Sequence, residues 1–103
     1  MDTDWAVVWS PQAKKTYFLV LDYLNENWSK RELHQFMKRV EITISAIRRN
    51  PGLFAASRQQ SKIRKAFVDK NNSFFYSIDP YKQQLIILTF YDNRQDPEKF
   101  KLG

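Results

Sequence analysis

Apolar residues recur at Ala13, Tyr17, Val20, Leu21, Leu24 and Trp28, spaced by three and four. The same period resumes at Leu33, Phe36, Met37, Val40, Ile44 and Ile47. Each series predicts an amphipathic helix with one face turned to a core. Between them stand only Asn27, Trp28 and Ser29, so the two helices must fold back on each other as a hairpin. Their ends are marked. Ser10-Pro11 supplies a capping hydroxyl and a proline at the first helical position. Ser29-Lys30-Arg31-Glu32 reads as a capping box, with the serine bonding the Glu32 amide and the carboxylate reaching back. Asn50-Pro51-Gly52 closes the second helix. Phe18 and Leu19 lie off the first stripe and make a second apolar surface, while Lys14, Lys15, Asp22 and Glu26 face water.

Around this hairpin the pattern is that of strands. "WAVVW" (5–9) precedes it, and 63–68, 73–78 and 85–91 follow, all rich in aromatic and β-branched residues. "DKNN" and "DPYKQQ" part the last three as hairpin loops. The order is β-α-α-β-β-β in a single α+β domain over residues 1–103.

Composition excludes several function classes. The chain has no cysteine, hence no disulfide or thiolate metal site. Its two glycines cannot build a phosphate-cradling loop, and no metal-ligand spacing occurs. No metal or cofactor is expected. No apolar run approaches the roughly 20 residues of a membrane span, and "MDTDWAVVW" lacks a signal-peptide layout, so no membrane partner and a cytoplasmic location are expected. The one histidine, His34, has no nucleophile or carboxylate signature beside it and reads as a surface or packing residue.

Charge is unevenly placed. Net charge is +6, and residues 30–70 hold 11 of the 17 basic side chains but 3 of the 11 acidic ones. Such a segment suits a polyanion or an acidic protein, or is a solvated basic helix face followed by a basic strand. In "SKIRKAFV", Lys62, Arg64, Ala66 and Val68 share one face, and Ile63, Lys65 and Phe67 the other. Arg64 either reaches solvent near the strand start or projects toward a phosphate, which guanidinium grips bidentately. Arg94, delivered by "LIILTFYDNRQDPEKF", either pairs with Asp92 or Asp96 or is a second such group. The functional alternative places both arginines on one pocket.

The element order, "VVWSPQAKKTYFLVLDYL", the "NPGLF" helix exit, the "IRKAFVDKNNSFFYSI" hairpin and the closing "LIILTFYDNRQDPEKF" resemble the RelE/ParE toxin superfamily, the toxins of type II toxin–antitoxin (plasmid stabilisation) systems. The resemblance spans nearly the whole chain. It implies an N-terminal strand and helical hairpin packed on a small, mainly antiparallel twisted sheet. It also implies a cognate antitoxin, in a homodimeric or heterotetrameric assembly. RelE-like members are metal-independent mRNA interferases on the ribosome; ParE-like members poison DNA gyrase by binding. For the nuclease branch the resemblance pairs Arg64 and Arg94 with catalytic positions, with Lys62, Lys65 and Tyr91 as helpers. It sets Ala66, Ser73 and Phe100 where that branch carries a basic residue, an arginine and a tyrosine. These departures favour the gyrase inhibitor over the interferase. Trp5, Trp9, Phe18 and Leu19 are the expected antitoxin anchors, or else they complete the core. A non-toxic nucleic-acid-binding module would instead stack bases on exposed Phe74, Tyr76 or Tyr91.

Overall fold

The computed structural model of the chain describes residues 4–58 and 60–94. Its elements are β1 (Ala6–Trp9), α1 (Pro11–Asn27), α2 (Lys30–Arg49), β2 (Ile63–Phe67), β3 (Asn72–Asp79) and β4 (Gln84–Asp92). Both caps work as expected. Ser10 Oγ accepts the Ala13 amide at 3.0 Å. Ser29 Oγ accepts the Glu32 amide at 3.5 Å and donates to the Glu32 carboxylate. That hydroxyl bond is the main reason the Glu32 carboxyl sits below its ordinary value.

The strands form one sheet in the order β1-β4-β3-β2, with β1 parallel to β4 and the other pairs antiparallel. Both helices cover one face. Phe36, Val40 and Ile47 pack there against Ala66, Phe74, Tyr76, Leu85, Ile87 and Phe90. Burial on α2 falls on Phe36, Val40, Thr43 and Ile47, so the inward stripe runs through Thr43 and leaves Met37 exposed. Thr43 is accommodated because its hydroxyl donates back to the Arg39 carbonyl at 2.8 Å. Trp28, expected on the α1 stripe, is 56% exposed at the helical hairpin. The opposite, outer face carries a smaller cluster of Ile63, Phe75 and Tyr91, with Leu88 against it.

β4 is longer than its parallel neighbour. β1 pairs with Gln84–Ile87, and beyond that point the edge of β4 would be bare. The chain entering α1 covers it. The Ser10 amide donates to the Ile87 carbonyl at 3.0 Å, Ser10 Oγ donates to the Leu88 carbonyl at 2.8 Å, and the Phe90 amide donates to Thr16 Oγ1 at 2.9 Å. These bonds satisfy backbone groups that would otherwise be buried unpaired. At the same place β4 bulges. Phe75 lies opposite Thr89 and Tyr76 opposite Ile87, which leaves Leu88 as an extra residue. Strict alternation from Ile87 would point Thr89 inward; the bulge resets the parity so that Phe90 enters the core and Tyr91 joins the outer face.

The two hairpin loops are closed by aspartates. Asp69 Oδ1 accepts the Asn71 and Asn72 amides at 2.8 and 2.9 Å, and Asp79 Oδ1 accepts those of Tyr81 and Lys82 at 3.1 and 3.2 Å.

Candidate functional site

The pairing of β2 with β3 decides which cation faces which way. Arg64 stands opposite Tyr76 and Ala66 opposite Phe74, so Arg64 lies on the helix-covered face. There its guanidinium donates to the Phe54 carbonyl at 2.5 Å, next to Tyr76, whose hydroxyl donates to the Pro51 carbonyl at 2.7 Å. The two bonds hold the loop after α2 against the sheet. Burial raises the Tyr76 phenol above its ordinary value, with Arg64 opposing.

Lys65 points the other way. Opposite Phe75 on the outer face, its Nζ lies 4.8 Å from the Tyr91 ring centroid, 5.2 Å from that of Phe67 and 6.0 Å from that of Phe75. Partial burial pushes the ammonium below the usual lysine value. Ring faces attract the cation and so work against this shift. Lys62 is exposed before β2 begins.

Arg94 follows the end of β4. Its Nε and one terminal nitrogen each donate to Asp92 at 2.9 Å, a bidentate pair that draws the Asp92 carboxyl below its ordinary range. It lines a cleft of about 600 Å³ between the α1–α2 hairpin and the β2–β3 loop, which Arg64 does not reach. Tyr76, beside Arg64, and Asn72, beside the β4 exit, are four residues apart on β3, about 13 Å at the usual strand rise. The structure therefore does not bring Arg64 and Arg94 onto one pocket, contrary to the convergence considered from sequence. The pairing of Arg94 with Asp92 is one of the two arrangements foreseen. Asp96 and Phe100 lie outside the described residues.

The positions where the nuclease branch would carry further cations are committed to packing. Ala66 and Ser73 are fully buried, and Ser73 Oγ donates to Asn93 Oδ1 at 2.8 Å. The base-stacking alternative loses its platform as well. Phe74 and Tyr76 are both 0% exposed in the core, and Tyr91 is 6% exposed beneath Lys65.

The four residues expected to anchor a protein partner divide into two pairs. Trp5 and Trp9 are half-buried against the core. Trp9 stacks on Phe90 at 5.6 Å and meets the Tyr17 ring edge-on at 5.1 Å. Phe18 and Leu19 are 59% and 58% exposed on α1. Tyr23, one turn after Leu19, extends this surface to the cleft. Nothing in linear spacing joins a helix–helix turn to a hairpin loop, so the meeting of Trp28, Arg39 and Lys70 at one cleft has no signal in the sequence.

No protein-family model and no curated protein matches this sequence. Solved structures do. A chain of the toxin–antitoxin complex RelBE2 from Mycobacterium tuberculosis superposes with a TM-score of 0.64 at 18% identity, covering 92% of this chain and 98% of that one. The YoeB/ParE toxin from Agrobacterium tumefaciens gives 0.61 at 12% identity, covering 84% and 96%. A chain of the E. coli DinJ–YafQ toxin–antitoxin complex gives 0.60 at 11% identity, covering 86% and 92%. At these identities the likeness is one of fold, and the fold is that of the RelE/YoeB/ParE-type toxins. Among the described residues no helix is long and apolar enough to cross a membrane.

Proposed function

We propose that this chain is the toxin of a type II toxin–antitoxin pair, neutralised by a cognate antitoxin, and that it acts by binding DNA gyrase rather than by cutting messenger RNA. The toxin assignment draws on the fold. The choice of binding over cleavage rests on one observation, the dispersal of the cations. Metal-free attack of a ribose 2′-hydroxyl on its phosphate needs donors gathered within about 3 Å of one developing charge. Here Arg64 is bonded to a loop carbonyl, Arg94 to Asp92, and Lys65 stands on the opposite face of the sheet from Arg64. The exposed α1 surface at Phe18 and Leu19 supplies an apolar contact for the antitoxin.

Inducible expression tests the reading. Growth should stop, DNA-damage signalling should precede any fall in protein synthesis, and co-expression of a short acidic neighbouring open frame should restore growth. The purified chain should inhibit gyrase supercoiling. Protein synthesis failing first, with gyrase unaffected, would reject the gyrase target.

The mRNA interferase reading retains one supporting observation. Lys65, whose ammonium burial pushes below the usual lysine value, and Tyr91 share the outer face of the sheet, with Lys65 Nζ 4.8 Å from the Tyr91 ring centroid. On that reading Lys65→Met and Arg94→Ala each abolish messenger cleavage and growth arrest while antitoxin binding survives. Arrest that persists in both variants removes it.

A further inference from the structure

We infer that the exposed face of α1 pairs with the same face of a second copy of this chain, antiparallel, about a two-fold axis midway between Phe18 and Leu19. This self-association does not rest on the toxin reading.

The charge order of the helix is the first observation. Phe18, Leu19 and Tyr23 are 59%, 58% and 46% exposed on α1, with Lys14 and Lys15 exposed before them and Asp22 and Glu26 among and after them. That order opposes the helix macrodipole, which favours acids near the N-terminus and bases near the C-terminus. The first turn of α1 holds no acidic residue and the last turn no basic one. Asp22 and Glu26 also stand one turn apart as like charges. Lys15 cannot answer Asp22 within one chain, because the two lie about 10 Å apart along the helix. An antiparallel neighbour reverses each of these terms. Its C-terminal half lies beside Lys14 and Lys15, and its N-terminal half beside Asp22 and Glu26.

The register follows from symmetry. A two-fold axis across antiparallel helices sets residues equidistant from it against each other. Phe18 then meets Leu19 of the second copy, Lys15 meets Asp22, and Gln12 meets Asn25. Each contact occurs twice, and no like charges face each other. A parallel pair would instead set Lys15 on Lys15 and Asp22 on Asp22.

Charge also ranks the occupants. The chain carries +6, yet α1 holds two basic and two acidic residues, so a second copy brings no net like charge to this face. A uniformly acidic or basic peptide would satisfy one end of the helix and repel the other. One pair of helices about 25 Å long buries less than the roughly 1,200 Å² of a stable complex. The dimer is therefore reversible, with a dissociation constant of about 10–100 µM. The antitoxin contact proposed above uses the same Phe18 and Leu19, so antitoxin and second copy exclude one another there.

The test is sedimentation of the full chain from about 1 µM to about 1 mM. The unaltered chain should pass from monomer to dimer, and Leu19→Glu should stay monomeric with circular dichroism unchanged. Lys15→Asp should weaken the dimer about fivefold, since two contacts turn repulsive. Combining Lys15→Asp with Asp22→Lys in one chain should restore it. A monomer at every concentration overturns the inference. So does a dimer that survives Leu19→Glu, which would place the contact on another face. A double reversal no tighter than Lys15→Asp alone also overturns it, because only antiparallel pairing sets residue 15 against residue 22. Growth arrest is scored separately, so an absence of toxicity would remove the toxin reading and leave the sedimentation result standing.

Discussion

Arg64 donates its guanidinium to the carbonyl oxygen of Phe54 at 2.5 Å, from the face of the sheet that the helices cover. The bond closes a loop of irregular backbone over the end of the core, and Tyr76 closes it a second time through Pro51. An arginine placed this way is a structural fastener.

Arg64→Met should therefore act on stability. Removing a charged donor from a half-buried carbonyl is worth about 1–3 kcal/mol. Urea denaturation should show a lower midpoint, while the folded variant should retain the growth phenotype. An unchanged midpoint, with phenotype lost, would return Arg64 to the working surface.

Ser10 does two things at once: it caps α1 and ties the open edge of β4 through the Leu88 carbonyl. Ser29 caps α2 at an exposed site. Ser10→Ala should accordingly cost about 1–2 kcal/mol, and more than Ser29→Ala in the same background. Thermal or urea unfolding of the two variants side by side decides it; equal losses would mean that the β4 tether contributes nothing.

The two halves of the expected partner surface should separate under mutation. Phe18→Glu with Leu19→Glu changes exposed positions and should shift stability by no more than about 0.5 kcal/mol per site, while dissociating the antitoxin complex. Trp9→Ala removes a ring packed on Tyr17 and Phe90, at a cost of about 2–3 kcal/mol. Pull-down of the co-expressed antitoxin and chemical denaturation provide the two readouts. A stable, antitoxin-binding Phe18/Leu19 variant would exclude α1 as the contact.

Lys65 makes a pH-dependent prediction. Burial disfavours its ammonium in the folded chain, whereas the unfolded chain binds that proton at the usual 10.5. The unfolded state thus holds more protons between the folded-state pKa and 10.5, and stability gains from Lys65 as pH rises through that window. Below it the penalty is present in full. An NMR titration of Lys65 Nζ should give a midpoint under 10.5; one at or above 10.5 would mean that the rings of Tyr91, Phe67 and Phe75 outweigh desolvation.

Linear order alone determined the elements and their succession. The three-and-four spacing, Ser10-Pro11, the Ser29–Glu32 box and Asn50-Pro51-Gly52 bounded both helices close to where they lie, because capping and helical period are local physics. Strand boundaries followed from composition for the same reason. What tertiary structure decided is the direction of side chains. Period-two alternation in "IRKAF" says that Arg64 and Lys65 oppose each other, but not which of them meets the helices. That choice came from pairing with β3, where Tyr76 and Phe74 were already committed to the core. The Leu88 bulge, which sends Phe90 inward and Tyr91 outward, likewise has no local signature. It arises where β4 outruns β1 and the hydroxyls of Ser10 and Thr16, about 70 to 80 residues earlier, take over its edge. Long-range pairing sets the face, and a shift of one residue reverses it.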